Sequence, residues 1–103
     1  MLRRNFRARG GGEVDIVCRD KKENTLVFIE VKTRSSTEFG RPADAVKKDK
    51  RELITRGALA WLRLLDNPDI LFRFDIVEIV VAGGRPGITH IRDAFQLPQR
   101  MIW

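Results

Sequence analysis

Two short β-type segments joined by one polar turn constrain this chain more than any other feature. Glu13-Val14-Asp15-Ile16-Val17-Cys18 alternates polar and apolar residues, and residues 25–33 (Thr-Leu-Val-Phe-Ile-Glu-Val-Lys-Thr) are β-branched and apolar. Alternation of period two marks a strand, and β-branched side chains fit a pleated surface. Residues 19–24 are polar and read as the turn, so an antiparallel hairpin is expected. A four-residue loop at 21–24 sets its register. Asp15 then faces Glu30, Val17 faces Phe28, and Glu13 faces Lys32. Directly opposed residues point to one face with Cβ atoms roughly 4.5–5.5 Å apart. A slip of one residue would move Asp15 off that face.

Beyond the hairpin the period changes. Across residues 43–65, Val46, Leu53, Ile54, Ala58, Trp61, Leu62 and Leu65 recur at helical spacings. Gly57 inside that run costs ~0.5–1 kcal/mol relative to Ala, which suits a helix pressed closely on a sheet. Asn67-Pro68 ends it. Residues 72–82 form a nearly continuous apolar strand, expected to be central. Residues 83–87 (Gly-Gly-Arg-Pro-Gly) form a turn, and residues 88–92 a short last strand. Residues 1–12 and 96–103 carry no usable periodicity. The order strand, strand, helix, strand, strand predicts one α/β domain over residues 1–103, with a mixed sheet and a packed helix.

The 103 residues carry 20 Lys and Arg against 14 Asp and Glu, a net charge of +6. The excess clusters at Arg3, Arg4, Arg7 and Arg9, and again at Lys47, Lys48, Lys50 and Arg51. Such patches attract polyanions, because each neutralised phosphate releases counterions. A merely solubilising surface has the same composition. No apolar run reaches the ~20 residues a bilayer needs, so no membrane partner is expected. Met1-Leu2-Arg3-Arg4 leads into no apolar stretch, so it does not read as a signal peptide. Cys18 is the only cysteine and has no disulfide partner in the chain, which suits a cytoplasmic setting.

Opposed carboxylates on adjacent strands repel unless something compensates. A hard divalent cation, Mg²⁺ or Mn²⁺, does so with oxygen ligands and retained waters. Asp15 and Glu30 would hold it, and Lys32 would orient water or steady charge on a phosphate. Phosphodiester hydrolysis needs this set. The alternative is an ordinary surface ion pair between Asp15 and Lys32 on a solvated strand face, worth about 0–1 kcal/mol.

The strings Gly12-Glu13-Val14-Asp15-Ile16-Val17 and Val27-Phe28-Ile29-Glu30-Val31-Lys32-Thr33-Arg34 closely resemble the YraN-type family of uncharacterised bacterial proteins. The likeness continues through Phe39-Gly40, Ala45-Val46, Lys50, Arg73-Phe74-Asp75 and His90-Ile91-Arg92-Asp93-Ala94-Phe95. It implies a restriction-endonuclease-like fold of the D…E-x-K kind, similar to Holliday-junction resolvases. On that pattern Asp15 and Glu30 match metal-binding carboxylates and Lys32 the catalytic lysine. The family's N-terminal helix, of the form Gly-x-x-Gly-Glu-x-x-Ala, is absent ahead of Met1. A shortened chain, a misassigned start or a genuine short form would each account for that. The uncovered face would then suit a second subunit, giving a homodimer.

The resulting expectation is a nucleic-acid-binding protein, for DNA in the first place, with a Mg²⁺-dependent endonuclease-like site. Arg34, Lys47, Lys48, Lys50 and Arg51 would meet the backbone phosphates. Two alternatives stay open: a non-catalytic nucleic-acid-binding module, and a scaffold whose basic surface meets an acidic protein. Steep salt dependence would mark nucleic-acid binding. Glu13 is read as pairing with Lys32 or an N-terminal arginine rather than as a third ligand. Asp75 and the single His90 are read as structural, Trp61 as core, and Cys18 as a small buried hydrophobe.

Overall fold

The computed structural model describes residues 1–34, 48–82 and 85–96. Five strands and one helix make up the described chain: β1 (Arg3–Arg7), β2 (Glu13–Asp20), β3 (Thr25–Arg34), α1 (Lys48–Leu64), β4 (Leu71–Ala82) and β5 (Arg85–Phe95). They form one sheet in the order β1-β2-β3-β4-β5. Every neighbouring pair is antiparallel except β3 and β4, which are parallel with α1 between them in sequence. The molecule is therefore a mixed-sheet α/β fold. Among the described residues no helix is long and apolar enough to cross a membrane.

The β2–β3 hairpin has the expected register, with Val17 opposite Phe28 and Cys18 opposite Val27. Its turn is held by the Asp20 side chain. Asp20 Oδ1 accepts from the backbone of Lys22 at 3.1 Å and of Glu23 at 3.3 Å. Asn24 closes the turn at φ 50°, a left-handed conformation that Asn tolerates better than most residues. The last strand runs from Arg85 to Phe95, well beyond the short strand expected at 88–92.

The first strand was not expected. Arg3–Arg7 reads Arg-Arg-Asn-Phe-Arg and buries only Phe6, so it has no apolar alternation of its own. Pairing with β2 at Arg3↔Val17 and Phe6↔Val14 supplies what its sequence lacks. Phe6 then meets the edge of Trp61 on the helix, ring centroids 5.3 Å apart.

One layer of side chains lies between sheet and helix. Val14, Val17, Leu26, Phe28, Phe74, Ile76 and Phe95 meet Ile54, Ala58, Leu59 and Leu62. Of the residues expected on the helix's apolar face, Ile54, Ala58 and Leu62 are buried, Trp61 packs partly, and Leu65 is half exposed. The expected helical residues 43–47 lie outside the described residues. Asp66 and Asn67 both have positive φ and end the helix, with Asn67 N donating to Leu62 O at 2.8 Å.

Gly57 lies where helix and sheet touch most closely. A Cβ there would fall 2.8 Å from backbone atoms of Glu13. Gly57→Ala should therefore cost ~1–3 kcal/mol by overpacking, although Ala is the better helix former. Urea denaturation checks this, and a stabilised Ala variant would contradict it.

Candidate active site on the β2–β3 hairpin

Strand alternation carries Leu26, Phe28 and Glu30 to the helix side of β3. Leu26 and Phe28 are core residues, so Glu30 enters the same apolar layer and is only 6% exposed. Across from it, β2 is irregular. Val14 and Val17 are both buried, three positions apart, where strict alternation would put them on opposite faces. The β1–β2 ladder skips the Asn5/Asp15 position, and Asn5 has φ 55°. The β2–β3 ladder stops at Ile16↔Ile29. Beyond that point the Val31 N–H donates to Asp15 Oδ2 at 2.8 Å rather than to a strand carbonyl. The Asp15 side chain has replaced a rung of the sheet.

Asp15 and Glu30 are thus neighbours at the end of the hairpin. Burial first, and the adjacent Asp15 carboxylate second, push the Glu30 carboxyl up to about 7 from its ordinary 4.5. One of its oxygens, Oε2, is buried with no hydrogen-bond partner among the described residues. Lys50, near the start of α1, supplies the balancing charge. Its Nζ is 3.6 Å from Glu30 Oε1 and bonds Glu13 directly. That bond is the main reason the Glu13 carboxyl lies below its usual range. Glu13 also accepts from Arg7 at 3.2 Å, so its partners are an N-terminal arginine and Lys50.

Lys32 follows Glu30 on the same face of β3 and is exposed. It is in register with the buried Glu78 of β4. Among the described residues it forms no ion pair with Asp15, so the simple surface pair is not what holds Asp15. Lys48 is exposed at the start of α1. The Arg51 guanidinium lies over the Phe95 ring, 5.5 Å from its centroid. Arg34 ends β3, and its side chain and all of Lys47 lie outside the described residues.

The role of Lys50 was missed, although a signal was present. Lys50, Ile54 and Ala58 are four residues apart, so Lys50 extends the buried stripe of α1 towards the sheet. His90 and Asp75, both read as structural, are paired, His90 Nε2 lying 2.7 Å from Asp75 Oδ2, and Asp75 also accepts from Arg73. Cys18 is half-buried rather than buried.

Two carboxylates, one of them with an orphaned buried oxygen, suit a hard divalent cation that completes its shell with water or substrate oxygens. No cluster of three His, Cys, Asp or Glu suited to a metal occurs among the described residues. The ammonium of Lys50 is already a cation at this position.

Fold and site together define a small α/β protein with a buried glutamate, Glu30, beside the partly buried Asp15 on a mixed sheet. The chain belongs to the uncharacterised protein family UPF0102, whose model matches residues 1–79; this is the YraN-type family its motifs resemble. It is 48% identical over 97 residues to a UPF0102 protein of Geobacter metallireducens, covering 94% of this chain and 77% of that one. A Geobacter sulfurreducens relative is 48% identical over 98 residues, covering 94% and 74%. One from Nocardia farcinica is 44% identical over 96 residues, covering 92% and 73%.

Proposed function

We propose that this chain is a cytoplasmic nucleic-acid-binding protein, on a restriction-endonuclease-like fold, with a Mg²⁺-dependent phosphodiester-hydrolysing site at Asp15, Glu30 and Lys32. The observation that carries the reading is Glu30: buried, beside a second carboxylate, with one oxygen lacking a partner among the described residues. Burying an ionised carboxylate beside another is costly, and a fold that retains the pair has a reason outside its own stability.

Bound at the two carboxylates, Mg²⁺ or Mn²⁺ would supply Lewis acidity and an acidified water. The chain's own groups do the rest. Glu30, whose carboxyl is pushed up to about 7 in the metal-free protein, must give up its proton to hold the cation, so metal binding would strengthen as pH rises through 7. Asp15, fixed by the Val31 N–H, holds its carboxylate in one orientation. Lys32 extends into solvent from the adjacent face position, where it can meet a phosphate oxygen. Lys48 and Arg51 extend the positive surface along α1. The net charge of +6 favours a polyanion, for which DNA is the first choice.

The test is heat denaturation of wild type and Asp15→Asn/Glu30→Gln with Mg²⁺ or Mn²⁺, beside cleavage of branched and single-stranded DNA. Metal should raise the melting temperature of the wild type only, with metal-dependent cleavage. If neither stability nor DNA responds to metal, the catalytic reading fails. One feature favours a second reading, a non-catalytic binding module: the Lys50 ammonium already neutralises the carboxylates. On that reading metal does nothing and DNA binding persists.

A further inference from the structure

The turn between β1 and β2 lies against α1 and leaves a cleft of about 580 Å³ between them. Arg7, Arg9, Arg56 and Arg63 line it over an apolar floor that includes Phe6 and Leu59. Among the described residues no acidic side chain lines it. Arg56 and Arg63 are seven apart and so share one face of α1. They are brought to the turn by a close backbone approach. Gly12 has φ 112°, and a Cβ there would lie 2.5 Å from Gly57 N. The turn itself is closed by Ala8 N donating to Gly12 O at 3.0 Å.

Four guanidinium groups around one cleft repel one another, and the fold does little to relieve it. Arg7 shares Glu13 with Lys50. Arg9, Arg56 and Arg63 are exposed and have no carboxylate partner among the described residues. Such an arrangement is stabilised by an anion from outside. Two further features narrow what that anion is. The floor is apolar, which suits the faces of unpaired bases, and arginine planes stack on bases as well as pairing with phosphate. The cleft is also linked to the carboxylate pair. Arg7 is 3.2 Å from Glu13, Glu13 bonds Lys50, and Lys50 is 3.6 Å from Glu30.

We infer that the Arg7–Arg9–Arg56–Arg63 cleft seats the phosphodiester backbone of a single nucleic-acid strand and leads it past the Asp15–Glu30 pair. The inference rests on the nucleic-acid-binding reading above and names the surface that carries it. The strand's phosphates replace counterions on the arginines, and its bases lie on the apolar floor.

The test uses fluorescence anisotropy of a labelled oligothymidylate across a salt series. The proteins are wild type, Arg9→Ala/Arg56→Ala/Arg63→Ala and the corresponding triple Lys variant. Circular dichroism confirms that each is folded. The Ala variant should bind about tenfold more weakly or worse, with a log–log salt slope shallower by about 2. The Lys variant should recover the slope. A folded Ala variant with wild-type affinity and slope overturns the cleft and leaves the function above standing. Weakened oligonucleotide binding in a protein that cleaves nothing supports the cleft while the catalytic reading fails. Wild type that binds phosphatidylserine vesicles but no oligonucleotide overturns the inference.

Discussion

Glu30→Gln should make the protein more stable above neutral pH in the absence of metal. The folded-state value of Glu30, about 7, lies above its ordinary 4.5. Its favourable contribution, that of the protonated carboxyl, is therefore complete below about pH 4.5. It is lost as pH rises through 7, because the folded state must then carry a buried anion beside Asp15. Gln keeps the shape without the charge and escapes that loss. A tenfold change in proton affinity is worth ~1.4 kcal/mol, so the advantage approaches ~3 kcal/mol at pH 8. Urea denaturation at pH 5 and pH 8 reads it directly. The two proteins should converge in the acid and separate in the alkali. A difference that does not change with pH would mean Glu30 is not the strained group.

Asp75→Ala should be the most damaging single change outside the apolar layer. Asp75 lies between Phe74 and Ile76 and so points away from the helix, yet it is fully buried. Its Oδ1 accepts from Arg73 Nε at 3.1 Å and Asp93 N at 3.0 Å, and its Oδ2 lies against His90. Arg73 also reaches Asp20 at 3.3 Å and Glu23 at 3.1 Å, while Arg92 reaches Glu23 at 3.0 Å. One carboxylate thus ties β4, the register shift in β5, and the β2–β3 turn. Removing it leaves the Arg73 Nε–H and the Asp93 N–H without their acceptor in a buried site, a loss of ~3 kcal/mol. Asp75→Asn should fall between the two, because it can still accept from Asp93 N. A urea midpoint close to wild type for the Ala variant would show that the network is decorative.

Much of this architecture was legible in the chain. The hairpin register followed from alternation and a four-residue turn, because both are local rules that tertiary contacts had no cause to override. The apolar face of α1 was readable for the same reason at Ile54, Ala58 and Leu62. Phe6 and β1 were not, because an edge strand with one buried residue is defined by its neighbour. The length of β5 was underestimated because Arg85, Pro86 and Gly87 read as turn residues, yet they pair with Ala82, Val81 and Val80. At the candidate site, sequence spacing brought Asp15 and Glu30 together correctly. It could not show that Asp15 takes over a backbone rung at Val31, nor that Lys50 reaches in from the helix. Both depend on how helix and sheet dock.

The turn after β2 has a consequence for how this protein can change over time. Asp20 and Asn24 fix its length, and that length alone decides which β2 side chain meets Glu30. Substitutions at Lys21 and Lys22 are cheap, since these side chains are exposed. A single-residue insertion or deletion there is not. It would rotate Asp15 to the opposite face of the sheet while leaving every acidic residue in place. Genetic drift in this segment is therefore free in spelling and forbidden in count.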